Sequence, residues 1–427
     1  MVTKMSCMVI KKYLESYAEP EVEQFSLNSP FCFDALLVLP VFDEPIENLN
    51  HFLNLSSTKS ITMIWVFNCP DNACEDAQAR TMQLMSHFIG VLGAQRVEAL
   101  GKQNTDSEYG IFLSQARKRL SVLIVDRCSK GNEIPAKQGV GLARKLGMDL
   151  GLKLLQQQTQ AEPVKWLHSC DADVCLPHDY FDIAKPERGD AVALYPFRHV
   201  AEAGYEQAMA LYDVSLRYYV QQLASANSPY AFHTIGSLIV VTPTAYAQVR
   251  GVPKRSGAED FYFLNKLAKV GRVINLDQPI LRVAGRPSHR VPFGTGPAIS
   301  KIKEMAEPLK EYTFYHPEIF LALKQVLAIV SDSKQSIASV DLFFEQVYDK
   351  MEDEKAKLVI STLKELKLEK QYQHLGQKKD ASSFKRAFHV WFDAFVTLRF
   401  IHILRDKAYP NVTLDTLPFE VRQQFGV

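Results

Sequence analysis

No run in this 427-residue chain approaches the roughly 20 consecutive apolar residues that cross a bilayer. Residues 5–10 are too short for the apolar core of a secretory signal. The seven cysteines include no CxxC pair and are odd in number, which fits reduced thiols in a cytosolic protein. Without a secretory route, the sequon Asn411-Val412-Thr413 has no consequence. No charge sign dominates: 49 Lys and Arg face 48 Asp and Glu, a net of +1, so no global field recruits nucleic acid or acidic membrane. Only Arg117-Lys118-Arg119 forms a basic cluster, and such a run is usually a solvated face. Repeats and low-complexity segments are missing too. What remains is ordinary globular usage, 47% hydrophobic and 23% charged, in a chain long enough for one large domain and an accessory region.

Apolar runs of strand length recur at 35–41, 61–67, 122–125, 164–167, 191–195 and 237–241, with helical stretches between several of them. Most are continuously rather than alternately apolar, which predicts strands covered on both faces in a mostly parallel sheet. "GVGLARKLGMDLGLKLLQQQ" (139–158) spaces Leu142, Leu146, Leu150 and Leu154 four apart and predicts a helix. Beyond residue 300 the texture becomes helical, at 337–350, 353–370 and 383–404, with "QYQHLGQKKDASS" (371–383) as a loop or hinge. The aromatic-rich segment 387–405 is apolar on more than one face, which predicts burial against protein, with membrane-surface contact or homo-oligomer formation as alternatives. Residues 1–33 read as an extension, 34–300 as the α/β domain and 301–427 as a helical region.

Ligands of open parallel sheets gather beyond the carboxyl ends of the strands. There the sequence places "LPVFDEP" (39–45), "FNCPDN" (67–72), "VDRCSKGN" (125–132) and "HSCDADVCLP" (168–177). Asp171 and Asp173, one residue apart at a strand end, suit a shared hard cation with open sites for phosphate oxygens; alternatively they cap a turn before Pro177. Glu259 and Asp260 open an amphipathic helix, either as plain helix-dipole chemistry or as a carboxylate pair whose repulsion and burial raise one proton affinity to that of a general base. His289 lies among Arg282, Arg286 and Arg290. The arginines suit phosphate and the imidazole a Mn²⁺ shell, although a lone histidine there also reads as a loop residue.

Together, "LPVFDE", "GVGLARKLGMDLG", "DAD" and "GAEDFYF" in this order resemble the GT-A nucleotide-sugar glycosyltransferases, nearest in pattern to the family 2 group, over residues 34–295. The resemblance implies a GT-A, Rossmann-like sheet flanked by helices. It implies that Pro40, Val41, Asp43 and Glu44 contact the nucleobase and ribose; the usual tyrosine-asparagine-glutamate is here Phe42-Asp43-Glu44. Where an acidic residue commonly ends the second strand, this chain has Asn68, with Asp71 nearby. Arg144 matches a residue lining the donor site, with Lys137 assisting. Asp171 and Asp173 match the metal motif, Asp260 the catalytic base of inverting members with Glu259 beside it, and His289 a histidine that completes the metal shell.

The resulting expectation is a cytoplasmic transferase. It moves a sugar from a UDP- or GDP-type donor to an unknown acceptor hydroxyl, using Mn²⁺ or Mg²⁺ at Asp171, Asp173 and His289, with Arg286 and Arg290 on the diphosphate. Nucleic acid is not an expected partner. Two rivals stand beside it: a non-catalytic binding or scaffold protein of the same fold, and a nucleotidyltransferase, against which the absence of glycine from "LPVFDEP" argues.

Overall fold

A computed structural model describes residues 2–25, 32–97, 110–158, 164–287 and 294–423. The chain forms two compact units. The first comprises 1–200, 234–284 and 290–293, and the second 201–233, 285–289 and 294–427.

The first unit is built on a nine-stranded sheet. In chain order the strands are β1 (Ala35–Val41), β2 (Ile61–Asn68), β3 (Gln95–Arg96), β4 (Ile111–Arg117), β5 (Leu120–Arg127), β6 (Leu167–Ser169), β7 (Val174–Cys175), β8 (Asp190–Leu194), β9 (Phe197–Ala201), β10 (Ile239–Val241), β11 (Arg272–Asn275) and β12 (Leu281–Gly285). The main sheet runs β11-β8-β10-β6-β1-β2-β5-β4-β3, and β7, β12 and β9 make a second, small sheet. β6, β1, β2 and β5 are mutually parallel, while β10 and β4 run against their neighbours. This is a mixed α/β fold with a large, mostly parallel sheet flanked by helices, consistent with a Rossmann-like arrangement.

The continuous apolar runs work as expected: every residue of β1 and β2 is buried, because helices cover both faces of a parallel sheet. The expected strand at 164–167 is displaced, since β6 begins at Leu167 and carries His168 and Ser169. His168 is buried against Tyr180, Phe181 and Tyr195, and this aromatic surround lets a polar residue continue the strand. The predicted helix is Gly139–Gln157, buried around most of its circumference. It lies close on the sheet at Gly147, where a Cβ would stand 2.3 Å from a Val38 methyl.

Residues 2–25, unassigned from sequence, form helices Val2–Ser16 and Pro20–Gln24 that belong to the first unit. Their polar atoms explain the attachment. Tyr13 donates to Asp149 Oδ1 at 2.6 Å, the Glu19 amide donates to Asp149 Oδ2 at 2.9 Å, and Lys145 donates to the Tyr17 carbonyl at 2.8 Å and to Asp149 at 2.6 Å. Tyr246 adds a second hydroxyl on Asp149 at 2.5 Å, and Glu21 pairs with buried Arg127.

The second unit is helical, but its membership differs from the expected 301–427. Helix Glu206–Ser225 contributes Leu211, Val214, Tyr218 and Leu223 to the same apolar core as Phe320, Leu323, Phe343, Phe388 and Phe400. The expected helix 353–370 is broken at Lys367, whose φ of 66° ends one helix and opens Leu368–Leu375. That helix occupies the first part of the expected loop because Tyr372 and Leu375 bury into the core. Residues 383–404 divide between Ala381–Trp391 and Ala394–Lys407, and their Phe384, Phe388, Phe392, Phe400, Ile401 and Leu404 are buried. Among the described residues no single helix is long and apolar enough to cross a membrane; these last two pass only as a pair bent by 68°.

Candidate functional site

The chain passes from β1 through β2 to β5 on one side of β1 and later returns to β6 on its other side. The β1/β6 boundary is therefore a topological switch point, where open α/β sheets bind ligands. Val38 is level with Ser169, and the Cys170 amide donates to the Val38 carbonyl at 3.0 Å. The segment that starts at Asp171 thus leaves the sheet beside the last residues of β1. It turns at once, with the Val174 amide on the Asp171 carbonyl at 3.3 Å, and Asp171 and Asp173 are both partly exposed.

Arg144 connects this turn to the second acidic pair. Its side chain rises from helix Gly139–Gln157 and is 3% exposed. One terminal nitrogen, Nη1, donates to Ser169 Oγ at 2.7 Å; the other, Nη2, donates to Asp171 Oδ1 at 2.8 Å and faces Glu259 Oε1 at 3.5 Å. Glu259 and Asp260 reach the cluster because Gly141 lets the preceding loop lie on the helix. A Cβ there would be 2.4 Å from the Pro253 carbonyl oxygen, and the Gly141 amide donates to the Arg255 carbonyl at 3.0 Å. The loop then turns through Ala258, φ 56°, into helix Glu259–Leu267.

This packing sets the electrostatics. Burial raises the proton affinity of Glu259 against the pull of Arg144. Burial, and then the charge of Glu259, push Asp260 up to about 7, although its carboxylate accepts from the Phe261 amide at 2.7 Å. Burial opposes the charge on Arg144, but Asp171 and Glu259 outweigh it, and the guanidinium's affinity for its proton is raised. One guanidinium therefore faces a surplus of carboxylate, with one acid poised to exchange a proton near neutrality.

The other expected residues divide. Pro40 and Val41 end β1, and Asn68 ends β2, 4% exposed and with no hydrogen bond to its side-chain oxygen. Asp43, at φ 52°, is held by Arg80 through two bonds of 2.7 and 2.9 Å, and its amide donates to Thr81 Oγ at 3.0 Å. Glu44 accepts from Asn48 at 2.8 Å. Asp71 accepts from the Ala136 amide at 2.9 Å, which fixes a loop. Lys137 is exposed. Arg286 is grouped with the second unit, and His289 and Arg290 lie outside the described residues. Sequence reasoning missed Ser169, Arg80 and Gly141. Only Ser169 had a signal, lying between the strand and the Asp171 turn.

Two carboxylates one residue apart suit Mg²⁺ or Mn²⁺ when phosphate oxygens and water complete the shell; of this pair, Asp171 already gives Oδ1 to Arg144. Among the described residues no group of three His, Cys, Asp or Glu side chains is placed to hold a metal. No protein-family model and no curated protein matches this chain.

Proposed function

We propose that the first unit is a metal-dependent glycosyltransferase that moves a sugar from a nucleoside diphosphate to an acceptor hydroxyl with inversion. The observation that carries this reading is the Arg144 bridge between Asp171, at the switch point, and the Glu259–Asp260 pair. In this reading Asp171 and Asp173 would hold Mn²⁺ or Mg²⁺ together with the donor diphosphate, and the cation would offset the charge of that leaving group. Pro40, Val41 and Glu44 border the base and ribose. Asp260 accepts the acceptor hydroxyl's proton as that oxygen bonds to the anomeric carbon. The bond to the diphosphate breaks, and its electron pair leaves with the phosphate. Glu259 keeps the proton affinity of Asp260 near the working pH, where a general base is most effective. Arg144 fixes the spacing of the two acidic elements.

Thermal shift with UDP- and GDP-sugars, with Mn²⁺ or with chelator, tests the reading, since a bound ligand raises stability by mass action. At least one donor should stabilise the protein in a metal-dependent way, and Asp173→Ala should abolish that effect. Asp260→Asn should keep donor binding and lose turnover; wild-type turnover in that variant would falsify the base assignment. A second reading, a binding protein of this fold without turnover, draws on the Asp43–Arg80 pair, which occupies a carboxylate at the end of β1. Metal-dependent donor binding with neither transfer nor donor hydrolysis would favour it.

A further inference from the structure

The second unit contains a groove of about 720 Å³ between helices Leu368–Leu375 and Ala381–Trp391. Each wall is built on one helix, with Lys378 in the segment that follows the first. Gln371, His374, Leu375 and Lys378 line one side, and Ser383, Arg386, Val390 and Trp391 line the other. The lining is of two kinds. Leu375, 1% exposed, is apolar floor, and Val390, 43% exposed, is apolar rim. Trp391 is held edge-on to Phe388 at 5.5 Å and to Phe392 at 5.6 Å between ring centres, so its indole is a fixed wall. Against this surface stand Lys378, Arg386 and His374, and no acidic residue lines the groove. Among the described residues neither Lys378 nor Arg386 is within ion-pair distance of a carboxylate, although the charge of Arg386 reaches Asp380 and helps to lower its proton affinity. Asp380 accepts from the Ser383 amide at 2.9 Å and from its hydroxyl at 2.8 Å, capping the helix.

The groove is open rather than enclosed, but it shares with small-molecule sites a mostly apolar surface and a few convergent polar groups. A guanidinium fork and an ammonium that no carboxylate contacts directly suit an anion. With His374 and Gln371 they offer more donors than the two oxygens of a carboxylate need, and three phosphate oxygens use them better. The flat indole favours an aromatic body through stacking. We infer that this groove is a binding site for a soluble organic phosphate carrying an aromatic ring, separate from the acidic cluster of the first unit.

Calorimetric titration of the full chain with 2-naphthyl phosphate tests this, with inorganic phosphate and 2-naphthol as its two halves. Saturable binding at one site is expected, at least tenfold weaker for either half. Arg386→Gln and Lys378→Gln should each weaken it at least tenfold, and so should Trp391→Ala. Arg386 is exposed and Lys378 partly so, so the two charge variants should keep the wild-type melting temperature. The inference fails if no saturable heat appears, if inorganic phosphate binds as well as the aryl ester, or if the charge variants bind as tightly as wild type. It also fails if the chain ignores the aryl ester but sediments with vesicles of anionic phospholipid, which would make the groove a membrane contact.

Discussion

Arg144 Nη2 lies 2.8 Å from Asp171 Oδ1 and 3.5 Å from Glu259 Oε1, so one nitrogen joins the turn after β6 to a helix that starts 115 positions further along the chain from Arg144. Removing it leaves carboxylates facing one another without a counter-charge, which is costlier than the pair's net worth. Arg144→Met should lower the unfolding free energy by about 3 kcal/mol at pH 8. Losing the cation raises the folded-state affinities of Glu259 and Asp260 further, so the deficit should shrink as pH falls and they protonate. Urea denaturation at pH 8 and pH 5 measures this; an equal deficit at both would show that Arg144 acts by packing alone.

Asp260 supplies a pH signature. Its ordinary affinity is 3.8 and its folded one about 7, raised by burial first. Between these values the folded state binds more protons than the unfolded, so stability falls as pH rises from about 4 to 7 and then levels. This contribution is bounded by about 4 kcal/mol. Asp260→Asn should flatten that part of the stability profile. Under the proposed function, turnover in the wild type should rise through pH 7 as the carboxylate ionises, the opposite direction to stability.

The sheet was legible where burial on both faces forced unbroken apolarity, as in β1 and β2. It was less so at β4, whose exposed and half-buried positions break the run, and at β6, where His168 depends on Tyr180, Phe181 and Tyr195, which lie outside the strand. The acidic residues around Arg144 stood out because of where they lie, Asp171 just after a strand and Glu259 and Asp260 in the first turn of a helix. Arg144 stood out in the sequence through the resemblance, but its contact with Glu259 depends on a loop that rests against Gly141, and no local pattern announces that approach. The N-terminal helices were illegible for the same reason: Tyr13, Glu19 and Glu21 are placed to meet Asp149, Lys145 and Arg127, whose burial emerges only on folding.

That N-terminal attachment should be measurable. Asp149 is fully buried and accepts from Tyr13, Tyr246, Lys145 and the Glu19 amide. Asp149→Ala leaves buried Lys145 with Glu19, at 3.1 Å, as its remaining carboxylate and takes the acceptor from the Tyr13 and Tyr246 hydroxyls; it should cost about 2 to 3 kcal/mol. Tyr13→Phe removes one hydroxyl and should cost about 1 kcal/mol. In limited proteolysis the Asp149→Ala protein should be cut within residues 17–34 sooner than wild type. Cleavage at unchanged rates would show that the apolar faces hold the helices without the buried network.

Two glycines separate a packing requirement from a helix-propensity effect. A Cβ on Gly141 meets backbone at 2.4 Å and 2.6 Å, at the Pro253 oxygen and the Arg255 nitrogen, whereas one on Gly90 meets nothing within 4 Å. Both glycines lie in helices. Gly90→Ala should therefore stabilise by up to about 1 kcal/mol, the ordinary gain of alanine over glycine in a helix. Gly141→Ala should destabilise by about 1 to 3 kcal/mol, because the obstructing atoms are main chain and cannot rotate aside. The loop must lift, and it carries Glu259 and Asp260 away from Arg144. Asp260 then gains solvent and its proton affinity drops toward 3.8, so the pH at which stability levels should move down in Gly141→Ala and stay unchanged in Gly90→Ala. If both variants keep the wild-type pH profile, the close approach at Gly141 does not set the environment of Asp260.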